Sequence, residues 1–162
     1  MMLAALLVVL QTQAAPERPA GRTTIGIHQS WGAFRDASPR KCFAIARPAG
    51  AGQRNPAFAS IGIWPGSAPR PQFHARLSRA KRPDARVTLS IGERRFALIA
   101  GATDAWAPDP ATDAAIVAAM RGARSMSMES VGANGRPFAD TYALGGAATA
   151  IDAAVLGCAR AT

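Results

Sequence analysis

Apolar and polar residues alternate at period two from Ile25 to Ala100, and helical spacing takes over only beyond that point. Such alternation places successive side chains on opposite faces of a sheet, so strands are predicted at Ile25–Phe34, Cys42–Ala46, Phe58–Trp64, Phe73–Ser78, Val87–Ile91 and Arg95–Ala100. Within FASIGIW, Phe58, Ser60, Gly62 and Trp64 share one side while Ala59, Ile61 and Ile63 share the other. Arg47–Gly52 and the proline-rich stretch from Pro65 to Pro71 break the pattern, and Lys81–Asp84 makes a turn. Gly92-Glu93-Arg94 joins the last two runs into the clearest hairpin of the chain.

The period then lengthens. Asp109 is suited to cap a helix that begins with Pro110, where a missing N–H costs nothing. Ala114, Ile116, Val117 and Met120 follow at helical spacing, and Gly122 is the natural stop. Ser125–Val131 and Phe138–Leu144 alternate again around an Asn134-Gly135 turn, Gly145-Gly146 ends the second, and Ala147–Gly157 reads as a closing helix that leads into Cys158. The expected fold is mainly β: an antiparallel β-sandwich or half-barrel of about 7–8 strands with two helices in the C-terminal third.

Residues 25–162 form one expected domain. Ahead of it, Leu3–Leu10 is a short apolar run followed by small and polar residues and then Pro16-Glu17-Arg18-Pro19, the layout of a secretory signal peptide. Residues 1–14 are predicted to be that signal, cut after Ala14, and residues 15–24 a flexible linker; the alternative is a buried first strand or a frayed terminus. The apolar run is far shorter than the roughly 20 residues of a membrane span, and no cysteine follows it closely enough for lipid anchoring. An exported protein of the periplasm or outer envelope is the expectation. In that oxidising setting Cys42 and Cys158, the two cysteines present, read as a disulfide, with two free buried thiols as the alternative.

Trp31 with Cys42 eleven positions later, the strand at Cys42–Arg47, and the ending YALGGAATAIDAAVLGC together resemble the invasion-associated locus B family of alphaproteobacterial exported proteins. Trp31 and Cys42 match the early part of its pattern, and Leu144, Gly145, Ala150 and Ile151 the late part. Members often carry a central cysteine pair, which this chain lacks. The resemblance implies an envelope protein, in some members tied to host-cell entry, and brings no catalytic residues to carry over.

The residues themselves point the same way. No nucleophile elbow, phosphate loop, dinucleotide fingerprint or zinc-protease motif is present. His28 and His74 lie on predicted strands with no acidic residue or ligand-spaced partner nearby in sequence, and read as structural or surface histidines. Asp104, Asp109 and Asp113 cluster near the helix start, but capping and the helix dipole account for Asp109 and Asp113, so the cluster does not read as a cation site. Trp31, Trp64 and Trp106 are scattered and read as core or rim packing rather than a sugar-stacking platform. No catalytic residue, metal or cofactor is expected, and a small periplasmic hydrolase or ligand-binding protein using His28 or His74 is the rival reading.

Charge supplies the one positive functional signal. Nineteen Lys and Arg against 10 Asp and Glu give a formal +9, and all the basic residues except Lys41 and Lys81 are arginine. Such a field favours anionic partners. Arg76, Arg79, Lys81, Arg82, Arg86, Arg94 and Arg95 are predicted to form one patch for anionic envelope lipids, lipopolysaccharide, acidic glycans or a host-cell surface. Nucleic acid is not expected, because the chain has no helix-turn-helix or basic arm; a cytosolic nucleic-acid binder requires the signal-peptide reading to be wrong. Intact mass of the protein from its own cells should show loss of residues 1–14 and a gain of about two hydrogens on reduction. A full-length, already reduced chain would contradict export.

Overall fold

A computed structural model describes residues 21–52, 55–65 and 70–159. The predicted signal peptide lies outside the described residues. Ten strands and two helices follow in the order β1 (Arg22–His28), β2 (Trp31–Ala37), β3 (Arg40–Ala46), β4 (Phe58–Ile63), β5 (Gln72–Arg76), β6 (Val87–Ile91), β7 (Arg94–Ala100), β8 (Asp104–Trp106), α1 (Pro110–Gly122), β9 (Ser125–Val131), β10 (Pro137–Ala143) and α2 (Ala147–Ala159). β1 takes in Arg22–Thr24, which the sequence assigned to the linker.

The strand count exceeds the expected seven or eight for two reasons. The run Ile25–Phe34 is a hairpin rather than one strand: His28 pairs with Trp31, and Gln29 turns the chain at φ 52°. A left-handed residue that is neither Gly nor Asn gives no turn signal in sequence. β8 is only three residues long, too short for alternation to mark it. The β6–β7 and β9–β10 hairpins turn where predicted, with Gly92 and Gly135 at positive φ.

All strands belong to one antiparallel sheet in the order β1-β2-β3-β4-β5-β8-β7-β6-β9-β10, where a sandwich would have two. The join between β8 and β7 is narrow, two residue pairs at Ile99↔Trp106 and Ala100↔Ala105. One side-chain bond nevertheless links β2 to the far end of this order: the Trp31 indole N–H donates to the carbonyl of Ala143 at the end of β10, at 2.9 Å.

Register explains how that approach is possible. Trp31, Ala46, Ala59, Ala75, Ala105 and Ala100 form one continuous cross-strand row. Short side chains along the row leave height for the fully buried indole beside them. α2 lies on β1–β4 with Ala147, Ala150, Ile151 and Ala154 buried, and α1 packs on β5–β7 through Ile116, Val117 and Met120. Both helices enter the same core. α1 starts as predicted, with the Asp109 carboxylate accepting the Thr112 N–H at 2.8 Å, and Asp113 accepts the Phe73 N–H at 2.7 Å, which fixes α1 to β5. α2 begins beside the β1–β2 turn, where Gly146 has φ 86° and a Cβ would overlap the His28 carbonyl.

Cys42 on β3 and Cys158 on α2 stand at bonding distance, S–S 2.08 Å with Cα atoms 5.7 Å apart, as the disulfide reading expected. The bond closes a loop between residues 116 apart in sequence. Replacing both cysteines by alanine should cost about 2–5 kcal/mol of unfolding free energy in urea, matched by wild type under reductant. Equal stability with and without the bond would contradict its place in the fold.

Candidate functional site

With the core and both helices on one side, the other side of strands β1–β5, β8 and β7 carries its own row: Ile27, Gly32, Ile45, Ser60, His74, Trp106 and Ile99, paired across seven strands. A register shift between Thr24 and Gly26 turns Ile25 inward, over Gly157 of α2, and Ile27 outward. Among the described residues, four of the five large apolar residues that are exposed lie on this face: Ile27 (65%), Ile99 (59%), Trp64 (44%) and Trp106 (43%). Scattered exposed apolar residues are ordinary, whereas a row of them on one face marks a contact surface.

The centre of the face is a groove of about 550 Å³, with Lys41, Phe43, Phe58, Trp64, His74 and Trp106 among its walls. Small residues make it concave. Gly62 has no side chain, and a Cβ there would stand 2.9 Å from the Trp64 ring, so the indole lies back over β4 only because position 62 is glycine. Ser60 adds little bulk, and its hydroxyl donates to the His74 carbonyl at 3.1 Å.

One end of the groove is a ring stack held by polar bonds. The His74 ring lies parallel to Trp106 at 5.2 Å and meets the edge of Phe58 at 5.1 Å. Its Nε2 is 3.0 Å from Asp104 Oδ1; Asp104 also accepts from Thr103 Oγ1 at 2.8 Å and from Arg76 Nε at 3.2 Å. Burial pushes the Asp104 carboxyl upward, but the hydrogen bonds from Thr103, Arg76 and His74 and the Arg76 charge outweigh it, and the net direction is down. The opposite end is cationic: the Arg22 guanidinium lies 5.0 Å and the Lys41 ammonium 5.6 Å from the Phe43 ring centroid. Arg22 is paired with Asp36 at 2.7 Å, and that hydrogen bond holds the Asp36 carboxyl below its usual range.

The predicted arginine patch is divided. Arg94 and Arg95 sit at the β6–β7 turn, Arg94 donating to the Ala115 carbonyl of α1 and lying over Phe96, while Arg82 and Arg86 are at the other end of β6, near Val131 and Ser130. Lys81 is buried, and its ammonium donates to the carbonyls of Arg82 and Pro83. Arg82 pairs with Asp84 at 2.7 Å, Arg76 pairs with Asp104, and Arg79 lies over Phe138. The charges are spread and in part neutralised because alternation and the hairpin send neighbours in sequence to opposite ends of the sheet.

The histidines separate as well. His74 does meet an acidic residue, Asp104, which sequence proximity did not reveal because the two are brought together by β5–β8 pairing. His28 is on the core side of β1, its Nε2 buried without a hydrogen-bond partner. Of the tryptophans, Trp31 is core as predicted, but Trp64 and Trp106 share the groove. The sequence signal for it was the face Phe58, Ser60, Gly62, Trp64: aromatics separated by small residues, opposite an apolar face. Among the described residues no group of three His, Cys, Asp or Glu is placed to hold a metal ion.

No protein-family model and no curated protein matches the sequence. Comparison of the fold with solved structures does find a likeness: the crystal structure of invasion associated protein B from Bartonella henselae superposes with a TM-score of 0.63 over 83% of this chain and 96% of that one, at 13% identity. The chain has an invasion associated protein B-like fold. At that identity the likeness is one of architecture, so the groove has to be argued from this chain's own residues.

Asp104 offers a direct check on the groove's polar end. Its lowered pKa stabilises the fold above the ordinary aspartate value of about 3.9, and that contribution is lost as pH falls through this value towards the lower folded one. Asp104→Asn should therefore be less stable at pH 7, by about 1 kcal/mol, and lose less on going from pH 6 to pH 3. An unchanged acid slope would contradict the assigned contacts.

Proposed function

We propose that this chain is an exported, envelope-associated protein of the invasion-associated locus B type that works without catalysis, by surface contact through the outer-face groove. The observation that carries the reading is the concentration of exposed apolar residues, two half-exposed indoles among them, on the one sheet face that no helix covers. The fold likeness and the cysteine pair are compatible with export. Anionic envelope or host components remain the partner class, with the cationic end of the groove in place of the arginine patch as the point of contact.

Contact is favoured over hydrolysis by how the polar groups are used. His74 spends Nε2 on Asp104 and one ring face on Trp106, and the Ser60 hydroxyl donates to the His74 main chain. The His74–Asp104 pair is of the kind that orients a general base and is the one feature that favours the hydrolase reading. Against it, the Ser60 hydroxyl donates to the His74 main chain and not to its ring, so that pair holds no nucleophile.

Co-sedimentation of the purified chain with envelopes isolated from its own cells tests this. Trp64→Ser with Trp106→Ser should reduce the bound fraction severalfold, whereas Arg79→Ser, Arg82→Ser and Arg94→Ser together should change it little. The reverse ranking would move the working surface to the basic residues and overturn the proposal.

A further inference from the structure

Resting on that reading, the groove can be assigned a ligand chemistry. We infer that it takes an acidic saccharide, an oligomer of uronic-acid type, with sugar rings on the open sides of Trp64 and Trp106 and a carboxylate at Lys41.

The two ends of the groove differ in what they can bind. At the β4–β8 end, the walls are aromatic but not dry: Trp64, Trp106 and Phe58 surround His74, and the Gln72 amide lines the same space with no hydrogen bond of its own among the described residues. Flat π faces bordered by an amide and a hydroxyl suit a pyranose, which presents C–H bonds on its faces and hydroxyls on its rim. An acyl chain would leave the Gln72 amide facing hydrocarbon without a partner, a costly arrangement for a polar group, whereas Ser60 and His74 Nε2 are already bonded within the protein.

At the β3 end the charges do not cancel. Asp36 stands between Arg22 and Lys41, its cross-strand neighbours on either side; it pairs with Arg22, while Lys41 acts on it only through its charge and joins no ion pair among the described residues. Asp104 at the far end is matched by Arg76. Two cations thus share one carboxylate, which leaves one positive charge over at the β3 end, with the Lys41 ammonium over Phe43 as the group that no hydrogen bond to Asp36 engages. Three strand spacings separate β3 from β8 in the sheet order, about 14 Å, so one ligand reaching both ends is longer than a single ring. The volume of about 550 Å³ falls in the range of roughly 300–1,000 Å³ typical of small-ligand sites.

Calorimetric titration with trigalacturonate, its methyl ester and phosphatidylglycerol vesicles separates the possibilities. The acid should bind, the ester about tenfold more weakly, and Trp106→Ala should weaken both by about tenfold, the scale of one lost ring contact. Lys41→Ser should bring the acid down to the ester and leave the ester unchanged, since the carboxylate and the cation act as one pair. Equal binding of acid and ester, or indifference to Trp106→Ala, overturns the inference. Vesicle binding that depends on Trp106 without any saccharide binding also overturns it, while the groove itself survives as the contact surface. Envelope retention that no groove substitution weakens refutes both.

Discussion

A fully buried indole must find a partner for its N–H, and Trp31 finds it in the carbonyl of Ala143, at the end of a strand eight places along from its own β2 in the sheet order. The row of alanines level with Trp31 makes the bond possible by keeping the inner surface low. The same low surface lets α2 lie against β1–β4 and lets Cys158 reach Cys42. Larger side chains along that row would lift the helix, part the disulfide and leave the Ala143 carbonyl without its donor. The interior of this protein is thus organised around shortness on one side and one large residue set beside it.

One-sided covering has a consequence for the other face. Both helices are committed to the core, so the outer side of β3, β4, β5 and β8 meets solvent with whatever the alternation puts there. On β4 that is Phe58, Ser60, Gly62 and Trp64; on β5 and β8 it is His74 with Trp106 paired beside it. Small residues at positions 60 and 62 hollow the centre, and the rings stand around it. The hydrogen bonds of Asp104 and the ion pair of Asp36 give the hollow a neutral end and a cationic end. On the proposed reading, this asymmetry would orient an elongated anionic partner.

Much of this was legible in the residues. Alternation located most strands, Asp109-Pro110 marked α1, Asn134-Gly135 and Gly92 marked hairpins, and the cysteine pair followed from compartment and count. Gln29 hid a turn because its left-handed backbone is imposed by neighbouring structure, not by its own chemistry. β8 was hidden by brevity. The groove escaped for a different reason: Trp64, His74 and Trp106 are far apart in sequence and become neighbours only through the β4–β5–β8 register. Conversely, the arginines looked like a patch because they are close along the chain, and the hairpin geometry of β6–β7 parts them. Distance along a β-rich chain is a poor guide to distance on its surface.

The fold shared with invasion associated protein B says how the chain is built and leaves its working face to be found on this molecule. Hydroxyl-radical footprinting of the protein, free and bound to isolated envelopes of its own cells, locates that face most directly. The account predicts protection of Phe58, Trp64 and Trp106, with Trp31 unreactive in both states and the residues around Arg79 and Arg82 unchanged. Protection confined to the Arg79–Arg86 end of the sheet, with both outer indoles still reactive, would contradict it.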